Sequence, residues 1–313
     1  MNELRALVRR NTMLFFKDKG MFLTSLLTPL ILLLLYATFL ANLYHDMFVE
    51  FVNVGLPISA SLVDGAVGSQ LLSSLLAVSA VTVSFCSNML MVQDRAKGQI
   101  RDLTVTPVRP SILALGYYLS TVLTTLIVCY AATAVGLIYI ACVGWYLSFL
   151  DVCLILLDVF LLVTFGTALS SVIHFFLTSE GQISAVGTIV SAGYGFICGA
   201  YMPISQFGAG LQNAVMLLPG TYGTALVRNH CFRGVIKEME GEGIPSEALK
   251  EMKDMLDCNL YFFGKSVPEP AMYAVLIGFI LLLVGVYLLM NVLREKSRCR
   301  ARLAAAKRSE ADA

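Results

Sequence analysis

Residues 94–110 read DRAKGQIRDLTVTPVRP, a compact charged element set between two long apolar segments. Its charges alternate in sign through Asp94, Arg95, Lys97, Arg101 and Asp102, and the Thr106-Pro107 pair stops any helix before the next apolar run begins. The stretch has the shape of a short docking helix on a membrane protein. A solvated connecting loop with ordinary surface charges is the plainer alternative.

The membrane assignment rests on what surrounds this stretch. The 313 residues are 58% hydrophobic and 14% charged, against about 25% charged in soluble domains. Crossing a hydrocarbon core takes about 20 helical residues, and six segments are long and apolar enough: 21–44, 70–93, 111–142, 152–176, 183–202 and 271–293. Lys and Arg are absent from 20–94 and from 110–227, so the basic residues fall in four blocks. These are the N-terminus, the 94–110 stretch, the segment 228–265 and the tail 294–313. Placing both termini and 94–110 in the cytoplasm obeys the positive-inside rule and requires an even number of crossings. The loop 45–69 and the turn 143–151 then lie outside, with 203–270 as the main external segment.

Residues 1–20 interleave Leu4, Leu7, Val8, Leu14, Phe15 and Phe16 with Arg5, Arg9, Arg10 and Lys17. That pattern predicts an amphipathic helix on the inner leaflet, its cations on lipid phosphates. Ordinary topology-setting charge is the alternative. The following apolar run is too long for a cleavable signal peptide and is read as a retained first helix.

Absences narrow the function. There is no G-x-x-x-x-G-K-[ST] loop, G-x-S-x-G or H-E-x-x-H, and no polar stretch longer than about 70 residues, so self-contained catalysis is not expected. If ATP powers transport, another polypeptide supplies the ATPase. Three scattered histidines and no C-x-x-C pair give no metal site. No nucleic-acid partner is expected. Most of the eight cysteines sit in or beside apolar segments as small hydrophobes; Cys231 and Cys258 share the external segment, where a disulfide is an open question.

Asp94, Arg95, Lys97, Gly98, Leu103, Thr106 and Pro107 follow the second apolar helix, and a third follows at once. This resembles the permease subunits of the type-2 ABC exporter family, whose pattern there runs roughly acidic-basic-x-x-Gly-Thr-x-acidic-x-Leu-x-x-Thr-Pro. Gly98-Gln99-Ile100-Arg101-Asp102 departs from it, with the acidic position shifted or replaced. Met202-Pro203 follows the fifth helix, a short apolar stretch leads to Leu218-Pro219, and Gly220-Thr221-Tyr222 then resembles the family's Pro-x-Thr-Tyr element after an outer re-entrant hairpin; Pro203, Gly208, Gly210 and Pro219 suit two broken half-helices, with a plain extracellular loop as the alternative.

The resemblance implies an all-α polytopic membrane protein. It would have six transmembrane helices within 21–293, an N-terminal interfacial helix, a cytoplasmic coupling helix at 94–107 and a re-entrant hairpin between helices five and six. It implies a multi-pass subunit of a bacterial plasma membrane, with two permeases, identical or sibling, serving two ATPases that bind ATP and Mg. Such a permease forms the outward path for a hydrophobic or amphipathic drug, antibiotic, peptide or lipid. On the coupling surface it implicates Asp94, Arg95, Lys97, Gly98, Gln99, Arg101, Asp102, Leu103, Thr106 and Pro107, with Ile100 and Val105 as apolar contacts. Ser179 and Glu180 resemble a second ATPase contact, although capping of the fifth helix explains Ser179 equally.

Gly187, Ser191, Gly195 and Gly199 form a small-residue ridge that predicts close packing, either within the subunit or across a dimer. Ser84 and Asn88 belong to a polar stripe on the second helix, which is either a translocation wall or a set of self-satisfied hydroxyls. Asp158, about two turns into the fourth helix, reads as functional by default. It pairs with a substrate cation, ties helices through a hydroxyl such as Tyr139, or reaches water. Through Asp158 the rival function enters, a self-sufficient secondary transporter or channel. A membrane scaffold without transport is weaker still. The external run SEALKEMKDMLDCNLYFF starts at Ser246 and predicts a helix with Leu249, Met252, Met255 and Leu256 on its apolar face, a lid, a partner surface or a cap.

Overall fold

A computed structural model describes residues 2–52, 59–100 and 109–311. Helix α1 (Asn2–Lys17) stops at Asp18, whose extended backbone turns the chain and whose Oδ1 accepts the Met21 N–H at 3.0 Å. Asp18 thereby caps α2 (Lys19–Leu35), giving one of the orphan amides of a helix start its partner. The chain continues through a π-turn, Tyr36–Leu40, into α3 (Ala41–Val52). The predicted loop at 45–69 is therefore corrected: its first part is helical because Leu40, Tyr44 and Phe48 keep an apolar stripe against the core.

Helix α4 (Ala60–Ala96) starts ten residues before the predicted 70, because hydropathy marks the membrane-buried part of a helix and not its protruding end. There Gly65 lies against the Tyr146 ring and Gly144 against the Ser61 carbonyl. Helix α5 (Pro110–Val143) opens with proline in its first turn, where no amide donor is missed. Helix α6 (Phe149–Phe176) opens with a capping box of Ser148 and Asp151, and α7 (Glu180–Ile197) with one of Ser179 and Gln182. A 3-10 turn (Ile204–Gln206), α8 (Ala209–Val215), α9 (Pro219–Gly241) and α10 (Ser246–Met255) follow. A two-stranded antiparallel ribbon, β1 (Leu260–Phe262) with β2 (Lys265–Val267), pairs Leu260 with Val267 and corrects the all-α expectation at this one place. Helix α11 (Glu269–Ala311) ends the described chain.

Among the described residues five helical stretches are long and apolar enough to cross a membrane: Lys19–Val49, Ala60–Ala96, Ser111–Val143, Phe149–Phe176 and Glu269–Arg294. The segment predicted as a crossing at 183–202 is the 18-residue α7. It ends early because Gly199 takes a φ of +67° and the Ala200 and Tyr201 amides turn back to the Gly195 carbonyl at 2.9 and 3.1 Å.

Helix α4 is the hub. Helices α2, α3, α5, α6, α7 and α9 pack around it, and 94% of its most apolar window is buried, against 22% for α5 and 17% for α11. Small side chains make this feasible, since lipid supplies no hydrophobic drive between helices and close backbone approach must supply packing instead. At the closest crossing, a Cβ on Gly166 of α6 would lie 3.0 Å from the Ala80 carbonyl and 3.1 Å from the Val81 Cα.

Candidate functional site

The last turn of α4 gathers four helices. Asp94 is buried and accepts from Arg10 Nη1 of α1 at 2.9 Å and from the Tyr117 hydroxyl of α5. Desolvation opposes the charge on Arg10, but Asp94 outweighs it and raises the guanidinium pKa. Arg10 Nη2 also reaches Gln99 Oε1 at 3.2 Å.

Arg95 donates to the carbonyls of His174 and Phe175 at 3.2 and 3.0 Å, at the C-terminus of α6. The Leu177 amide also reaches the His174 carbonyl, at 3.2 Å, and a cation is favoured at that dipole end. The Phe175 ring lies 5.6 Å from the Arg95 guanidinium carbon and 5.1 Å from that of Arg294 in α11. The chain then turns at Lys97-Gly98, with Gly98 at φ +77°, and is helical again at Gln99 and Ile100. Lys97 and Gln99 are exposed. Arg101, Asp102, Leu103, Val105, Thr106 and Pro107 lie outside the described residues.

At the same end of the bundle, Gln182 Oε1 accepts from the Thr178 and Ser179 amides at 2.8 and 3.3 Å. Ser179 is thus occupied as a cap, while Glu180 beside it is exposed.

Ser84 and Asn88 are found in a buried seam between α4, α5 and α6. Ser84 Oγ lies 3.3 Å from Thr167 Oγ1, and Asn88 Nδ2 donates to Ser170 and Ser171 Oγ at 3.1 Å each. Both side chains are used up in holding helices. The concave surface lies elsewhere, in a cavity of about 1000 Å³ between α2, α4 and α7. It runs from Asp18 and Gln93 near the charged turn, past Thr28 and Ser191, to Phe39 and Tyr201. Gly187 and Ser191 of the ridge line it, whereas Gly195 sits against the Tyr201 ring and Gly199 against Asp257 and Ile204. All three glycines therefore have close neighbours within the chain, Gly187 meeting Met89.

Asp158 does not meet Tyr139. It is fully buried and accepts from His230 Nδ1 of α9 and from the Tyr273 hydroxyl of α11 at 2.6 Å. Two turns toward the start of α6, Arg233 of α9 lies 3.4 Å from Asp151 and 3.5 Å from Glu269 of α11. Six polar side chains thus lace α6, α9 and α11 together. His230 and Tyr273 were missed by the sequence reading, where scattered histidines spoke only against metal.

A second lock fixes the segment that follows. The fully buried Arg228 lies 3.4 Å from Asp257 and donates to the Gly199 carbonyl at 3.0 Å. Asp257, at φ +54°, accepts the amides of Ile204 and Ser205 at 2.6 and 3.0 Å. Burial pushes the Asp257 carboxyl up from its ordinary range, and Arg228 with the two amides restrains the rise. Cys231 and Cys258 are buried free thiols, and burial pushes that of Cys258 up to about 12, so neither presents a ready thiolate.

The family model of the ABC-2 type transporter matches residues 2–232, from α1 through most of α9. No curated protein matches the chain.

Proposed function

Because the chain belongs to the ABC-2 type transporter family, a family of multi-pass transport permeases, we propose that it is the membrane subunit of an ATP-driven exporter, worked by a separate ATPase and moving a hydrophobic or amphipathic compound. The observation that carries this is the joint at the end of α4. Asp94 and Arg95 tie the joint to α1, α5 and α6, while Lys97 and Gln99 just beyond Arg95 stay exposed. A push on the 94–107 element is then delivered to the hub helix and its neighbours as a rigid-body shift. In this reading Asp94 and Arg95 anchor the coupling element from within. Lys97, Gly98, Gln99 and the stretch from Arg101 to Pro107 meet the partner, with Glu180 alongside.

The charged turn and both termini lie in the cytoplasm, with α1 along the inner leaflet. Helix α7 is the sixth crossing: 18 residues rise about 27 Å, close to a hydrocarbon core of about 30 Å. Helices α8 and α9 form the outer re-entrant hairpin. Gly223 of α9 packs on Leu162, about 20 Å inside α6 at 1.5 Å per residue, and Gly234 packs on the Tyr146 backbone beyond the end of α5. Such a climb suits the rule that irregular backbone at membrane depth is shielded by protein.

The cavity between α2, α4 and α7 is the proposed path. Its mixed lining of Thr28, Ser191, Phe39 and Tyr201 and its volume suit a ligand of drug size. Two such subunits, identical or sibling, with two ATPases binding ATP and Mg make the working unit. Secondary transport through Asp158 is disfavoured by the side chain's burial between His230 and Tyr273, away from that cavity.

The test is co-expression with a candidate ABC ATPase from the same genome. Wild type is expected to co-purify with it and to stimulate its hydrolysis with cargo. Lys97→Glu with Arg101→Glu is expected to insert normally and lose that stimulation. Unchanged stimulation in the double variant overturns the coupling assignment.

A further inference from the structure

The ribbon β1–β2 carries its turn on Phe263 and Gly264, both at positive φ, +47° and +81°. Two-residue hairpin turns of this kind favour Asn-Gly or Asp-Gly, and a bulky residue at positive φ is a costly choice. Nothing among the described residues repays it, because Phe263 is 65% exposed and its neighbour Phe262 40% exposed. Their rings meet edge to face with centroids 4.8 Å apart, so the tip is a small apolar wedge.

The base of the ribbon is held firmly. Leu260 is buried and, with its cross-strand partner Val267, belongs to the apolar cluster of Met272 and Leu276 in α11. The Tyr261 hydroxyl donates to Asp254 at 2.9 Å. Glu269, two residues beyond β2, begins the span Glu269–Arg294, so the ribbon leads directly into a helix apolar enough to cross a membrane. Farther along the same helix, Ile277, Leu281 and Leu282 are exposed, as lipid-facing residues are.

We infer that Phe262 and Phe263 form a lipid anchor: the tip enters the interfacial zone of the leaflet remote from α1, with the exposed Lys265 at phosphate level. Aromatic rings collect at that depth because an apolar body and a polar edge are both accommodated there. The ribbon ends two residues before a helix apolar enough to cross a membrane, which selects lipid over a soluble partner. Anchored at its tip and locked at its base, the segment between α9 and α11 follows the membrane surface.

A single-tryptophan reporter tests this without ATP, cargo or partner. Trp145 is the one tryptophan in the chain; Trp145→Phe with Phe263→Trp places the probe at the tip of the full-length protein in phosphatidylcholine vesicles. The expected result is blue-shifted emission, most of it lost when the acyl chains are brominated, and little quenching by acrylamide. Emission quenched by acrylamide but not by bromolipid overturns the anchor. Emission quenched by neither also overturns it, pointing to burial against protein, such as a second copy. If the Phe263 variant does not elute as a folded species, Trp145→Phe with Phe262→Trp gives the same readout and the same two refuting outcomes.

Discussion

Replacing Asp158 by alanine removes the acceptor shared by His230 and Tyr273. Asp158 and His230 are buried nearly completely, where water does not compensate, and Tyr273 is half-buried. An orphaned buried donor costs about 1–3 kcal/mol, and breaking one side of a buried ion pair costs about 3–5 kcal/mol. We therefore expect Asp158→Ala to lose about 4 kcal/mol and His230→Ala a similar amount, because it strands the carboxylate. The double variant leaves only Tyr273 without its partner, so the losses should fall short of additive by about 2 kcal/mol or more. Neutral hydrogen bonds between membrane helices couple by only about 0.6 kcal/mol on average, so the size of the coupling separates a charged lock from an ordinary contact. The assay is reversible unfolding from mixed micelles followed by circular dichroism, with the four proteins compared at one detergent composition. Additive losses within about 0.5 kcal/mol would refute the reasoning. Asp158→Asn adds a functional reading: unchanged cargo transport takes the carboxylate out of the mechanism and leaves it a tie.

Three further outcomes follow from other sites. Arg228→Met removes the cation beside Asp257, whose carboxyl burial already raises. A carboxylate whose folded pKa lies above its unfolded value of about 3.9 keeps a proton that the unfolded chain has released, so stability falls as pH rises through that window; the variant should show a larger deficit at pH 8 than at pH 5, and a deficit independent of pH would refute the pairing. Gly234→Ala puts a Cβ 1.9 Å from the Tyr146 carbonyl oxygen, whereas Gly241→Ala meets nothing within 4 Å; the first should abolish monodisperse purification and the second leave the melting temperature unchanged. Gly98→Ala meets no atom but must hold φ +77°, a strain of about 1–2 kcal/mol, so it should weaken ATPase co-purification while sparing the thermal stability of the bundle.

The parts of this fold legible from composition were those that composition causes. Long apolar runs gave α5, α6 and the first part of α11 to within a few residues and the start of α2, but not the end of the first helical stretch, which runs past the predicted 44 to Val52, since a bilayer demands length and apolarity together. Capping by Ser179 stood as one of two readings of its turn because capping chemistry is local. Residues 60–69 of α4 were missed because a helix leaving the membrane loses its hydropathy signal before its hydrogen bonds. The partners of Asp158 were hidden for a different reason: His230 and Tyr273 lie 72 and 115 residues away, and no local pattern connects residues that only packing brings together. Ser84 and Asn88 illustrate the converse, a polar stripe whose period was plain but whose purpose depended on finding Thr167, Ser170 and Ser171 opposite.

The π-turn at Tyr36–Leu40 settles a question of phase. Leu32, Tyr36, Leu40, Tyr44 and Phe48 are all buried, at a strict interval of four residues. At 3.6 residues per turn each such step overshoots a full circle by about 40°, so an unbroken α-helix would carry this row around to the lipid side within a few turns. A wider turn takes up more residues for the same rotation. The first crossing thus behaves like a vernier: one loosened turn resets the count, and a row of leucine, tyrosine and phenylalanine side chains stays buried from Leu32 to Phe48.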